Sequence, residues 1–313
     1  MAEHGGNSGT TVCRNASTFS FLSESSPQKN MCPHPGVYAG MCMRCGQEMD
    51  DEFGVAFGYI HKKLRLANDE ISRLRGKDLK NLLRRRKLYL ILDLDHTLLH
   101  SARLPDFTVE EGYLHGQRDS LPDNLKSSLF RVEWMQTMTK LRPFVHTFLK
   151  EASICLRCTY TLWAIAHRSI KRALMSFWGK ESAVLILDDT EAVWGKHKEN
   201  LILMERYHFF ASSCKHFGFN YKSLSERKSD ESKTEGALAT VLKILQRIHS
   251  LFFDEWREDN LEDRDVRQVL KAVRKEVLKD CKVVFSRVFP TNFPAEHHTL
   301  WKMAEQLGAT CSL

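Results

Sequence analysis

No apolar run in the 313 residues approaches the ~20 that a membrane-spanning helix requires, which excludes a helical membrane protein. The N-terminus lacks the basic-then-apolar pattern of a secretory leader, so no export is expected. Nine cysteines are an odd number, which argues against a closed disulfide framework. Reduced thiols and a metal site fit a chain without an export signal better. Neither charge sign dominates: 46 basic and 39 acidic residues leave a net +7. That excess is modest, and no sequence-specific nucleic-acid binding is expected from it. With 42% hydrophobic and 27% charged residues, the composition is that of a soluble globular protein. The length allows a large core and two domains.

What the chain does have is organised around residues 87–101. Five apolar residues, Leu88 to Leu92, run straight into Asp93. Such a run predicts a strand buried on both faces, hence parallel and central. Asp93 and Asp95 then sit where that strand ends, and open α/β sheets bind their ligands at the carboxyl ends of strands. Val184 to Leu187 repeat the pattern and run into Asp188 and Asp189. Brought side by side, two carboxylate-tipped strands make an oxygen site suited to Mg²⁺. The alternative for each pair is an Asp-rich turn.

Around this centre the chain reads as follows. Residues 1–30, rich in Ser, Asn, Gly and Thr, are expected to be disordered. Cys42-x₂-Cys45 followed by Gly46 has the form of a zinc-knuckle turn, and Cys32 and His34 complete four ligands. The Cys-x-His half is tight for tetrahedral zinc, so a structural Zn²⁺ and an ordinary loop both stay open. Cys155 and Cys158 lie in an expected strand and read as core. Residues 68–86 predict an amphipathic helix. The basic run Arg84–Lys87 fits a nuclear-import signal, a solvated helix end or a contact for an anionic partner.

Residues 102–128 are irregular and predict an insertion over the site. A strand at 130–134 returns to Thr139–Pro143, and Pro143 opens a helix. Residues 155–162 and 201–207 predict further strands, with a short helical tail over 209–214. The polar stretch 222–235 reads as a linker. Helical spacing follows over 238–252 and 266–277, then a strand at 281–289 and a helix at 300–307 closed by Gly308.

The form Asp93-Leu-Asp95-His96-Thr97-Leu-Leu resembles motif I of the haloacid dehalogenase superfamily of phosphotransferases. It is similar to the branch of RNA polymerase II carboxy-terminal-domain phosphatases, nearest the plant phosphatase-like members. Thr139–Phe144, Tyr160-Thr161, Asp188–Trp194 and Glu205–Phe210 extend the resemblance over roughly residues 32–312.

The resemblance implies an α/β, Rossmann-like fold with a central parallel sheet, followed by helices. It implies a Mg²⁺-dependent protein serine/threonine phosphatase acting on the phosphorylated polymerase tail, in the nucleus, with the transcription machinery as partner. Asp93 would be the nucleophile that forms an aspartyl-phosphate, and Asp95 the general acid and base. The metal would be held by Asp93, the Asp95 backbone and Asp189, with Asp188 near by. Thr161 and a motif III lysine would bind the phosphoryl oxygens. Arg142 would face substrate phosphate, with a surface cap as the alternative. The strand–helix pair at 281–313 resembles the opening of a BRCT domain.

One part departs from the family pattern. Thr161 and Asp188 stand only 27 positions apart. That leaves room for one crossover helix, roughly 165–178, and none for a further strand. The sheet is therefore expected to lack one strand, and Lys171, beside Arg172, stands in for the motif III lysine. The activity is expected to be impaired, and a shortened binding or regulatory protein is the alternative. The expected domains are a disordered 1–30, a Cys/His segment 31–66, a phosphatase-like domain 67–220, a linker with helices 221–280, and a truncated BRCT-like segment 281–313.

Overall fold

A computed structural model describes residues 32–50, 52–57, 61–116, 123–161, 181–254, 263–290 and 294–313. The expected disorder at 1–30 and the expected helix at 165–178 lie outside these. The chain divides into two compact units, residues 1–67 and 68–313.

The described part of the first unit is a small antiparallel sheet. Its strands are β1 (Gly36–Tyr38), β2 (Met41–Cys42), β3 (Val55–Ala56) and β4 (Leu64–Leu66), in the order β2-β1-β4-β3. Val37, Cys42 and Phe57 are buried and form its small interior.

The second unit begins with helix α1 (Asn68–Arg84). Asp69 and Glu70 in its first turn favour the positive end of the helix dipole. Ile71, Leu79, Leu82 and Leu83 form its buried stripe. The chain turns through Arg86, at φ +50°, into β5 (Leu88–Asp93). A second, antiparallel sheet follows, made of β6 (Leu99–Arg103), β7 (Leu129–Val132) and β8 (Thr137–Leu141) with β8 in the middle; the short α2 (Asp123–Lys126) precedes β7. Helix α3 (Val145–Cys155) leads to β9 (Leu156–Thr161). Then come β10 (Val184–Asp188), β11 (Leu201–Leu203) and α4 (Ala211–His216).

The central sheet has the order β11-β10-β5-β9, parallel throughout. Its strands alternate between two apolar layers. Leu88, Leu90, Leu92, Leu185 and Leu187 join one core with Phe148 of α3, and Tyr89, Ile91, Val184 and Ile186 join another with Leu82, Trp194 and Leu201. Both faces are covered, as a continuous apolar run requires. Among the described residues the sheet ends at β9.

Helices α5 (Ala237–Asp254) and α6 (Val266–Glu276) complete the first layer with Leu238, Leu245, Phe252, Val266 and Leu270. The sequence predicts a domain break at residue 221, ahead of these helices. Their stripes in fact cover the sheet itself. A hydrophobic stripe shows that a helix is packed, not what it is packed on.

The reading of 222–235 as a linker also needs correction. Ser223 and Ser225 are fully buried, and Asp230 and Glu231 pair with the buried Lys140 and Arg142. The polar groups of this segment find their partners about a hundred residues away, where no local pattern shows them. Ser225 donates to the buried carboxylate of Glu111 at 2.5 Å, and the Ala211 amide donates to the same oxygen at 2.9 Å.

At the C-terminal end, β12 (Lys282–Val284), α7 (Thr299–Gln306) and β13 (Thr310–Ser312) form a βαβ unit with parallel strands. Gly308 ends α7 at φ +97°. A Cβ there would lie 2.0 Å from the Lys275 carbonyl oxygen, so only glycine fits. The strand expected over 281–289 is confined to three residues.

Candidate active site and metal centres

The register of the central sheet brings the expected carboxylates to one edge. Asp93 aligns with Thr161 on β9, and Leu92 aligns with Leu187 on β10, the residue before Asp188. The carboxyl ends of β5 and β10 therefore coincide. Carboxylate oxygens of Asp93, Asp188 and Asp189 lie within 4.8 Å of one another. Three hard oxygen donors at that separation suit a hard divalent cation such as Mg²⁺. Thr161 stands at the end of β9 next to Asp93 by backbone register. Lys171 lies outside the described residues.

Each carboxylate is set differently. Asp188 ends β10 and is buried; its Oδ2 accepts from the Trp194 indole at 2.8 Å and its Oδ1 from the Thr190 amide at 2.8 Å. Those two bonds fix its orientation, as outer partners do around metal ligands. Asp189 is taken by the Arg206 guanidinium, which also donates to Thr190 Oγ1 at 2.7 Å. Asp95 sits in a tight loop in which the amides of Thr97, Leu98 and Leu99 all point at the Leu94 carbonyl. Burial holds its carboxyl above the usual range, helped by the charge of Asp189 and opposed by His96 and Arg206. An acid that keeps its proton to higher pH suits the donor role the resemblance gives it.

The loop is held from outside. His96, at φ +60°, donates its amide to the Leu99 carbonyl, and its Nδ1 meets the Tyr207 carbonyl at 3.1 Å. Its Nε2 lies 3.8 Å from Asp95 Oδ2. His100 is buried and accepts the amides of Phe209 and Phe210, each at 3.1 Å, on Nδ1. Burial pushes its pKa well down. Burial likewise lowers His208 to about 4, with the charges of His96 and Arg206 adding.

Arg142 is the site residue whose surroundings differ most from expectation. It is neither a surface cap nor open to solvent. Its guanidinium is buried, makes a two-point pair with Glu231 at 2.9 and 2.6 Å, and donates to the Thr97 carbonyl at 3.1 Å. Its amide donates to the Leu98 carbonyl at 2.9 Å. Arg142 thus holds the loop that carries Asp95. Beside it, Lys140 pairs with Asp230 at 2.6 Å. Sequence reasoning assigned no role to Trp194, Arg206, Asp230 or Glu231. For Arg206 a signal existed: a cation just past an apolar strand, at the sheet edge where ligands bind.

In the first unit, Cys32, His34, Cys42 and Cys45 place their donor atoms within 4.8 Å of one another. The tight Cys-x-His half is accommodated because His34 adopts φ +44°, and Gly46 at φ +73° closes the knuckle. The backbone of Cys45 and, more weakly, of Arg44 holds the Cys42 thiol down to about 6, against a smaller effect of burial. Three thiols and an imidazole form a soft donor set of the kind zinc takes. Cys155 and Cys158 pack against the sheet core, as expected. Of the basic run, Arg86 donates to the Phe253 carbonyl and Lys87 to the Ser153 carbonyl, so both tie the end of α1 to neighbouring helices.

Residues 88–182 match the family model of NLI interacting factor-like phosphatases. The chain is 53% identical to the RNA polymerase II C-terminal domain phosphatase-like 4 of Arabidopsis thaliana, over 93% of this chain and 72% of that protein. That alignment spans 321 positions, more than this chain possesses, so the relative has positions with no counterpart here. The chain is 34% identical to the phosphatase-like 3 protein of the same plant, over 72% of this chain and 21% of that one. The structure of Fcp1, an essential RNA polymerase II CTD phosphatase, superimposes with a TM-score of 0.52 at 20% identity, covering 77% of this chain and 85% of the other. That likeness shows the haloacid dehalogenase-type fold.

Proposed function

Because the chain belongs to the family of RNA polymerase II C-terminal-domain phosphatase-like proteins, we propose that it is a Mg²⁺-dependent protein serine/threonine phosphatase of the polymerase tail. The observation that carries this reading is the convergence of Asp93, Asp188 and Asp189 at the carboxyl ends of adjacent parallel strands, with Asp95 in the loop that follows.

In this reading Asp93 attacks the phosphorus of a phosphoserine and takes the phosphoryl group as an aspartyl-phosphate. Asp95 gives its proton to the departing serine oxygen, then takes one from the water that hydrolyses the aspartyl-phosphate. Thr161 bonds a phosphoryl oxygen. Asp93, the Asp95 carbonyl and Asp189 would hold Mg²⁺, which when bound would supply positive charge against the clustered carboxylates and phosphate. Asp188, fixed by Trp194, keeps the donor set in place. A structural zinc on Cys32, His34, Cys42 and Cys45, a nuclear location and a BRCT-like character for the C-terminal βαβ unit complete the proposal.

A second reading, a shortened member that binds its partner with little turnover, is favoured by one observation. The alignment with the Arabidopsis protein contains positions that this chain lacks. Hydrolysis of a doubly phosphorylated tail-repeat peptide decides between the two. Mg²⁺-dependent phosphate release lost in Asp93→Asn supports the phosphatase. A rate that rises on the order of 10²–10³ when the family's missing strand and lysine are restored supports the impaired variant.

A further inference from the structure

The acidic centre carries a cation, Arg206, to which the sequence pattern gives no role. Arg206 follows β11, three residues beyond its last residue, Leu203. It donates to the carboxylate of Asp189 and to Thr190 Oγ1, and its guanidinium carbon lies 4.1 Å over the Phe217 ring. The ring and the two oxygen partners hold the guanidinium in one plane at the sheet edge. Its charge reaches Asp95. Arg206 also lines a concavity of about 450 Å³ together with His208, Lys222, Arg227, Glu205 and Glu231. Glu231 is already committed to Arg142. Three cations, Arg206, Lys222 and Arg227, therefore line this opening, and Arg206 alone of them also donates to a carboxylate of the acidic cluster, that of Asp189.

We propose that Arg206 is the cation that faces the phosphoryl group during transfer, the role that the family resemblance gives to a motif III lysine and that Lys171 was expected to fill. The proposal rests on the phosphatase reading of the same site. A guanidinium has five donors in a planar fork. Bonds to Asp189 and Thr190 leave donors for phosphoryl oxygens arriving from the basic concavity. The same arginine competes with a divalent cation for Asp189. It thus has two opposite effects: it opposes metal binding and favours phosphate binding. A merely structural ion pair would have only the first.

The test uses the full chain with Arg206→Ala, Arg206→Gln and Arg206→Lys. Mg²⁺ affinity is measured by calorimetry, and inorganic phosphate affinity is measured at saturating Mg²⁺. In Arg206→Ala, Mg²⁺ is expected to bind severalfold more tightly while phosphate binds at least tenfold more weakly. Arg206→Lys should recover part of the phosphate affinity, and Arg206→Gln should not. Turnover of p-nitrophenyl phosphate by Arg206→Ala should fall on the order of 10²–10³. Unchanged phosphate affinity in the neutral variants overturns the proposal and leaves Arg206 as the ion-pair partner of Asp189. Should Arg206→Ala fail to fold, Arg206→Gln and Arg206→Lys differ in charge at similar size and carry the comparison. A wild-type chain without turnover refutes the phosphatase reading, while the phosphate-binding comparison still decides the role of Arg206.

Discussion

The Cys32–Cys45 cluster and the Asp93–Asp189 cluster differ in how far apart along the chain their ligands lie. The sulfur-rich site is drawn from fourteen consecutive residues and is shaped by local backbone, with left-handed turns at His34 and Gly46. Few apolar residues stand behind it. The carboxylate site joins two strands nearly a hundred residues apart, and only a sheet buried on both faces brings them together. A zinc bound at the first site would supply much of that unit's structure, as it does in small metal-bound units. The second has its geometry from packing, before any metal arrives. A locally built site is readable from spacing; a site built by a sheet is readable only through the strands that end in it.

The largest expected effect separates the two sites outright. Beryllofluoride with Mg²⁺ should bind the chain, and Asp93→Asn should abolish that binding; equal binding by the variant would remove Asp93 from the role of nucleophile. Next, freshly reduced protein should contain about one zinc per chain, lost in the double variant Cys42→Ser, Cys45→Ser. In that variant the beryllofluoride complex should persist, since the sheet that builds the other site owes nothing to zinc. Loss of both together would mean that the two regions do not stand independently.

A smaller effect concerns Arg142. Removing it in Arg142→Ala leaves Glu231 without its partner and frees the loop that carries Asp95. The cost should be on the order of 3 kcal/mol, the low end for breaking a buried pair because Glu231 remains 23% exposed. Thermal melting reads it; an unchanged melting point with a raised KM would restore Arg142 to direct substrate contact.

The smallest effect is one of pH. Unfolded histidines take up protons near pH 6.5, whereas folded His100 and His208 resist protonation, His208 down to about 4. Between those values the unfolded state binds more protons, so stability falls as pH drops through that window. The melting temperature of the sheet-containing unit should decline by a few degrees from pH 7 to pH 5, and His208→Gln should flatten that slope. An identical slope in the variant would assign the acid sensitivity to other groups.

Linear order was enough for the central strands, because a run such as Leu88–Leu92 can satisfy its packing only by burial on both faces. It was enough for the carboxylates that follow, since strand ends point at ligands, and for the Cys/His cluster, whose ligands share one short segment. Tertiary structure alone decided what the polar segments do. Asp230 and Glu231 stand in a stretch that reads as linker, yet they neutralise two cations buried beneath them. Arg142 turned from a presumed phosphate contact into the support of the Asp95 loop, and Arg206 emerged against Asp189. The reason is physical. Apolar burial imposes a period on the sequence, so it can be read from one dimension. A charge imposes none, and its meaning depends on which opposite charge the fold brings to it.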